Sequence, residues 1–169
     1  MAEAFTNKLA RAVGVVNSST GGAIGITTNL ITGISTSGLT TGDLVDNQNY
    51  IAGTIISSIG AGQVVVDRDS TNTASATSQN VKFLQPTTIY TSPGGTKSIL
   101  IGGTFANNTN NQVSLTVSVT DNSAGITAAI ASKIPVPAGS SFVISDTGKT
   151  LLEASDAIKV SCDTANAID

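Results

Sequence analysis

The sequence contains no histidine and no tryptophan, and Cys162 is its single cysteine among 169 residues. Because histidine is the commonest general base and a common zinc ligand, its absence removes the usual basis for acid–base catalysis and for a zinc site. One cysteine cannot form an internal disulfide, so we expect the chain to fold in a reducing cytoplasm. Cys162 alternates with the apolar Ile158 and Val160, which predicts a small buried side chain rather than a nucleophile.

Charge is also scarce, with eight Lys and Arg, eleven Asp and Glu, and a net charge of −3. The basic residues form no cluster, and affinity for nucleic acid depends on Lys and Arg contacting phosphates, so no nucleic-acid partner is expected. Glu3, Lys8 and Arg11 interrupt the apolar residues of the N-terminus, which argues against a secretory signal. No stretch approaches the ~20 apolar residues needed to span a bilayer, so no membrane partner is expected.

The chain is instead rich in β-branched residues, glycine and asparagine, which favour short strands and tight turns. Apolar and hydroxyl side chains alternate from Gln112 to Thr120, with Val113, Leu115, Val117 and Val119 on one face. A period of two predicts a half-buried strand. Ile99–Ile101 is apolar on both faces and predicts a more central strand. The polar segment 106–111 between them predicts a turn, so we expect a hairpin.

Three segments follow from the breaks in the sequence: an N-terminal arm over 1–22, a small β module over 23–84 and a β-sandwich over 85–169. The arm has apolar residues at helical spacing, but an extended arm ending in a strand fits equally well, and both remain open. The polar run 17–22 predicts a break. Pro86 marks the second boundary, because proline lacks an amide donor and disfavours a central strand.

Within the module, glycine-flanked β-branched runs predict strands over 51–59 and 63–67, joined by a hairpin turn at Gly60–Gly62. A Ser/Thr/Asn loop over 69–80 leads to a closing strand over 81–84. The third segment predicts further short strands at regular spacing, over 87–91, 125–134, 141–145, 150–153 and 157–163. Pro135 and Pro137 place Val136 in an edge strand. This pattern predicts an all-β fold, a jelly-roll-like or Ig-like β-sandwich with a smaller inserted β module and an N-terminal arm.

No residue set indicates a catalytic, cofactor or metal site. Gly94–Ser98 lacks the spacing and the following helix of a phosphate-binding loop, so a turn is favoured. Asp67 and Asp69 flank an arginine and favour a solvated strand end; whether they bind a metal ion stays open. Asp43 and Asp46 are expected to stabilise turns. Glu153 and Asp156 lie in a tight turn, where their carboxylates are expected to face water rather than act as an acid–base pair.

Five segments of the C-terminal half resemble a family of small virion structural proteins of tailed bacteriophages, of the cyanophage and marine phage type. They are TIYTSP at 88–93, KSILIGGTFAN at 97–107, VSLTVSV at 113–119, IPVPAGSS at 134–141 and LLEASDAIKV at 151–160. Ala4–Asn7 is similar to the family's N-terminal arm, and 34–84 to a β module that recurs in phage structural proteins. Relatives continue past the segment DTANA, whereas this chain ends at Asp169, which predicts an open sheet edge and strand exchange between subunits.

The resemblance implies a virion protein made and assembled in the cytoplasm of the bacterial host, without enzymatic activity. Its leading form is a capsid decoration, or cement, protein that binds the major capsid protein as a homo-oligomer, for example a trimer. The alternative is a neck, collar or tail component that binds neck or tail proteins. A receptor- or glycan-binding appendage is a weaker alternative, because only two tyrosines and no tryptophan are available as sugar platforms. Five residues are the candidate interface: Phe5, Leu9, Leu39, Leu44 and Tyr50. Each of the five also fits an ordinary core position.

Overall fold

The computed structural model describes residues 7–11, 13–144 and 150–169, and it confirms the predicted all-β class. These residues form fourteen strands and no helix. In chain order the strands are β1 (Val15–Ile24), β2 (Leu30–Thr32), β3 (Leu44–Asp46), β4 (Ile56–Gly60), β5 (Gln63–Val66), β6 (Ala76–Leu84), β7 (Thr87–Thr91), β8 (Ser98–Leu100), β9 (Gly103–Ala106), β10 (Val113–Asp121), β11 (Ile126–Val136), β12 (Ser141–Ile144), β13 (Thr150–Leu152) and β14 (Ala157–Cys162).

The chain divides into two compact units. One unit comprises Gly14–Gln85 and Cys162–Asn166 and is called the barrel unit. The other comprises Pro86–Ser161, Ala167–Asp169 and the described residues before Gly14, and is called the jelly-roll unit. The barrel unit is therefore inserted in sequence between segments of the jelly-roll unit.

The barrel unit contains a six-stranded antiparallel sheet in the order β3-β6-β1-β2-β5-β4. The two outer strands of this order are joined to each other as well. Leu44 and Ile55 form a β-bridge. Three backbone hydrogen bonds accompany it: Gly42 N to Ile56 O at 2.8 Å, Ile56 N to Asp43 O at 2.9 Å and Val45 N to Thr54 O at 2.8 Å. The sheet thus closes into a barrel, which removes the unpaired edges of an open sheet.

Apolar side chains from every strand of the barrel, and from the turns between them, fill one buried cluster. Its members are Ile24, Ile31, Ile34, Leu39, Val45, Tyr50, Ile56, Val64, Val66, Val81 and Phe83. The alternation of buried and exposed residues in β5 and at the end of β6 follows from the period of two in a strand.

The predicted Gly60–Gly62 hairpin is confirmed, since Gly60 of β4 pairs with Gln63 of β5. The predicted break over 17–22 is wrong: these residues lie inside β1, which starts at Val15 and pairs with β6 along irregular register. The predicted arm over 1–22 therefore ends earlier, and its described residues 7–11 form neither a helix nor a strand. The predicted loop over 69–80 is too long, because β6 begins at Ala76 to pair with β1.

The eight strands of the jelly-roll unit form a nested set of antiparallel pairs. β7 pairs with β14, β8 with β13, β9 with β12 and β10 with β11. Such nesting is produced when one long hairpin folds over itself, as in a jelly roll, and it favours that alternative over the Ig-like one. Four of the strands form a sheet in the order β11-β10-β14-β7. The predicted strand over 87–91 matches β7, and Pro135 lies in the edge strand β11, as expected.

The strand with the clearest alternation is β10. Val113, Leu115 and Val117 are buried as predicted, whereas Ser118 is buried and Val119 only half-buried. Beyond Val117 the alternation of burial is lost, and the pairing of β10 with β11 has register shifts on both sides of Val117. The predicted hairpin between Ile99–Ile101 and β10 is wrong, because β10 pairs with β11. β8 instead pairs with β13, and Ile99 and Ile101 are exposed rather than central.

The last residues of the chain are paired with backbone in the jelly-roll unit. Ala106 and Asp169 exchange two backbone hydrogen bonds of 2.9 and 3.1 Å, and Asn108 N donates to Ala167 O at 3.0 Å. Asn107 anchors this region, since its side-chain amide donates to the carbonyls of Val136 and Pro137 at 2.9 and 3.0 Å.

Candidate interaction surface

Asp43 is a buried carboxylate that stabilises the turn before β3 and also binds the side chain of Gln85. It accepts hydrogen bonds from Thr40 N at 2.7 Å, Thr40 Oγ1 at 2.8 Å and Gln85 Nε2 at 2.8 Å. Asp46 likewise accepts from Ala165 N at 3.0 Å within the barrel unit. The turn-stabilising role predicted for Asp43 is therefore confirmed, whereas Asp46 lies in β3 and binds the distant amide of Ala165 rather than a turn of its own.

Asp67 lies at the end of β5, as the sequence predicted. It accepts from Ile55 N at 2.9 Å and pairs with Arg68 at 2.8 Å. The hydrogen bond from Arg68 is the main reason that the pKa of Asp67 lies below its usual value. No group of three or more Cys, Asp or Glu side chains within the described ranges is arranged to hold a metal ion.

The acid–base pair considered at Glu153 and Asp156 is not a paired site. Glu153 is exposed and forms an ion pair with Lys97 at 2.7 Å. Asp156 was expected to face water, and that expectation is wrong, because it is 4% exposed. Its two oxygens accept from Asn122 N at 3.0 Å and Glu153 N at 2.9 Å, so the carboxylate fastens the turn before β14 to the turn after β10.

Two further candidates from the sequence, Cys162 and the glycine segment 94–95, have structural roles. Cys162 is buried, as predicted, and burial raises the pKa of its thiol to about 11, so it is a poor nucleophile near neutral pH. The glycine segment 94–95 is a turn, as favoured: Thr96 N donates to Pro93 O at 3.2 Å and Gly95 has a φ of +77°.

The five candidate interface residues occupy very different environments. Leu39 and Tyr50 belong to the barrel core, so they have little surface to offer a neighbour, and the Tyr50 hydroxyl donates to Thr28 O at 3.1 Å. Leu44 is half-buried in β3. Leu9 is 96% exposed, and Phe5 lies outside the described residues. Leu9 is thus the described candidate with the most surface free to pack on another molecule.

Sequence reasoning missed the exposed apolar side chains of the jelly-roll unit. Ile99 of β8 lies directly opposite Leu151 of β13, and the two side chains are 57% and 53% exposed. Ile101 and Val143 are also more than half exposed. The apolar character of 99–101 was visible in the sequence, but it was read as burial within the chain. The same character equally fits burial against another chain.

A second exposed apolar group lies on β11. Ile126 is 61% exposed and Ile130 42% exposed, and all five residues from Ile126 to Ile130 are exposed. β11 is an edge of the four-stranded sheet. Exposed apolar residues on a sheet edge are a typical site of pairing with another chain.

The barrel unit offers a polar depression lined by Asp46, Asn47, Gln48, Gln79, Asn80 and Lys82. Several of its amides already bond each other or the backbone: Asn47 Nδ2 donates to Asn80 O at 2.9 Å, and Gln48 Nε2 donates to Gln79 Oε1 at 3.4 Å. The lining contains no aromatic ring on which a sugar could stack, so this depression gives little support to the glycan-binding alternative.

Among the residues that the structure covers, none belongs to a helix long and apolar enough to cross a membrane. No protein-family model matches the sequence, and neither a curated protein nor a solved structure matches it. The exposed apolar surfaces are therefore the structural basis on which a function can be argued.

Proposed function

We propose that this chain is a structural protein of a bacteriophage particle, and specifically a decoration protein that stabilises the capsid shell as a homo-oligomer. The observation that supports this best is the cross-strand pair Ile99 and Leu151, which leaves two large apolar side chains facing solvent on a chain with few charges. The resemblance of 88–160 to small virion proteins points in the same direction.

The mechanism is passive burial of apolar area. Each Å² of apolar surface removed from water contributes roughly 25 cal/mol before the costs of association are subtracted. Ile99, Ile101, Val143 and Leu151 would each contribute on the order of 1 kcal/mol, because about half of each side chain is already covered. A weak contact of this kind becomes effective when it is repeated over many copies on one shell.

A binding experiment tests this proposal. Purified chain is added to particles from a phage deletion strain that lacks it, and bound chain is measured after the particles are sedimented. We expect the wild type to bind, and the Ile99→Asp/Leu151→Asp double variant to lose binding at least ~10-fold, because a charge replaces each apolar contact. The control is Ala154→Asp, which adds one negative charge at an exposed turn residue; the single variants Ile99→Asp and Leu151→Asp match it in charge. Failure of the wild-type chain to bind any particle would contradict the proposal.

A neck, collar or tail component is the second candidate. It is favoured by the sheet order β11-β10-β14-β7, which leaves β11 and β7 at opposite edges of one sheet. Pairing of these two different edges between subunits would be head-to-tail and could close into a ring, as neck and tail parts require. The number of copies in each particle separates the two candidates.

A further inference from the structure

The edge strand β11 is long, and its first half lacks charged residues and proline. Ile126–Ile130 reads ITAAI, contains no charge and no proline, and is exposed at every position. An edge strand exposes a row of backbone N–H and C=O groups that can pair with another strand. Natural proteins usually protect such edges with lysine, proline or a bulge.

The second half of the same strand carries all three protections. Lys133 adds a charge and has a φ of +51°, at a place where the pairing with β10 skips a residue. Its N–H donates to Thr116 Oγ1 at 3.0 Å, and Pro135 follows two residues later. A second register shift, between Val117 and Ser118, skips Ile130, so the protected part of the edge ends there and Ile126–Ala129 is paired regularly with β10 without any of these protections.

The side chains of the open half continue a face of the sheet that is buried elsewhere. Ala131 pairs with the buried Val117, and Ala128 pairs with Val119, which lies two residues further along the same face of β10. Ile126, paired with Asp121, belongs to this face too. The apolar face therefore extends beyond the part of the unit that covers it.

We propose that Ile126–Ile130 pairs antiparallel with the same segment of a second copy of this chain, about a two-fold axis at Ala128. The two isoleucines are equidistant from this residue: the axis places Ile126 opposite Ile130 of the second copy, Ala128 opposite itself and Thr127 opposite Ala129. Opposite residues of an antiparallel pair share a face, so the four isoleucines form one continuous apolar strip. Such a contact is isologous and uses the same patch twice.

Charges at the ends of the paired segment agree with this arrangement. Lys133 lies just beyond the paired segment, and the same axis brings it near the turn between β10 and β11 of the other copy, around Ser123. Asp121 begins that turn, and its carboxylate accepts from Ala124 N at 2.9 Å and Ser123 Oγ at 2.8 Å. Each end of the contact therefore places a lysine near a carboxylate, and no like charges meet.

This inference deepens the proposed function, because it assigns the surface of the homo-oligomer, but its test needs only the purified chain. Light scattering should give a dimer, twice the 16.9 kDa of one chain, as concentration rises. In the Ala128→Cys variant the two thiols would face each other across the axis, at a Cα separation of about 4.5–5.5 Å that a disulfide can bridge. The native Cys162 is buried and does not compete.

We expect Ala128→Cys to form disulfide-linked dimers at least ~10-fold faster than Ala154→Cys, an exposed turn residue that serves as the matched control. Ala128→Lys and Ala128→Asp should each be monomeric, since like charges then meet at the axis, and mixing the two variants should restore the dimer. A wild-type trimer, a monomer at every concentration, or equal cross-linking of the two cysteine variants would overturn the pairing. None of these results depends on binding to a particle.

Discussion

The backbone N–H of Ile56 donates a 2.9 Å hydrogen bond to the carbonyl of Asp43, and this bond links the two outermost strands of the barrel unit. Together with the Leu44–Ile55 bridge it converts an open sheet into a closed one. Closure explains why the barrel unit needs neither charges nor prolines to protect its edges, while β11 of the jelly-roll unit has an open edge.

Hydrogen exchange tests the closure directly. Because the amides of Ile56 and Val45 are bonded across the seam, we expect them to exchange ~10²-fold or more slowly than the amide of Gly53 in the adjoining loop, as measured by NMR. Exchange of Ile56 and Val45 as fast as that of Gly53 would show that the seam is open in solution.

Gly33 is predicted to be intolerant of a side chain. Its φ is +71°, and a Cβ there would lie 2.8 Å from the carbonyl oxygen of Gly21. Gly53 has a similar φ of +86° but no atom within 4 Å, so it isolates the backbone strain from the clash. We expect Gly53→Ala to cost about 1–2 kcal/mol and Gly33→Ala to cost more than that in urea unfolding. Equal losses would show that the Gly21–Gly33 approach is unimportant.

The buried carboxylate of Asp156 should contribute far more stability than the exposed one beside it. Asp156→Ala leaves the amides of Asn122 and Glu153 without an acceptor, which we expect to cost roughly 2–4 kcal/mol. Glu153→Ala removes only an exposed ion pair with Lys97 and should cost less than about 1 kcal/mol. Urea unfolding of both variants measures the difference, and a similar loss in each would contradict the assignment.

Alkaline pH should weaken the barrel unit through Tyr50. Burial, with a smaller contribution from Asp69, raises the pKa of Tyr50 from 10.0 to about 12. The folded chain thus keeps a proton that the unfolded chain releases, so stability is full below pH 10 and falls as the pH rises from 10 to 12, by up to about 2 kcal/mol. The raised pKa of Cys162 acts with the same sign, starting from pH 9.

The Tyr50→Phe variant separates these two groups. It loses the hydrogen bond to Thr28 and should be less stable by about 1 kcal/mol at pH 8. Between pH 10 and 12, however, its stability should fall less steeply than that of the wild type, because the buried phenol with the raised pKa has been removed. A slope as steep as that of the wild type would exclude Tyr50 as the cause.

Local signals in the sequence predicted local structure well. The Gly60–Gly62 hairpin, the strand at 87–91 and the burial of Cys162 all follow from neighbouring residues. Distant pairing was not predictable in the same way. The run 17–22 has the composition of a break, yet β6, some sixty residues later, supplies a strand partner for it.

At the candidate surface, too, local features were predictable from the sequence and distant contacts were not. The buried place of Asp156 depends on Asn122 in another turn, and no spacing in the sequence links the two. The apolar pattern of Ile99–Ile101 was visible in the sequence. Such a pattern indicates that side chains avoid water, but it does not show whether they are buried within the same chain or against another chain. Leu39 and Tyr50 illustrate the opposite case, in which candidate interface residues are core.

The most direct test of the central proposal is the number of copies of this chain in each purified phage particle, measured by quantitative mass spectrometry against the major capsid protein. A decoration protein predicts a ratio near one to one or near one to three, because it follows the symmetry of the shell. A handful of copies would instead assign the chain to the neck or tail. Absence from purified particles would contradict the virion proposal altogether.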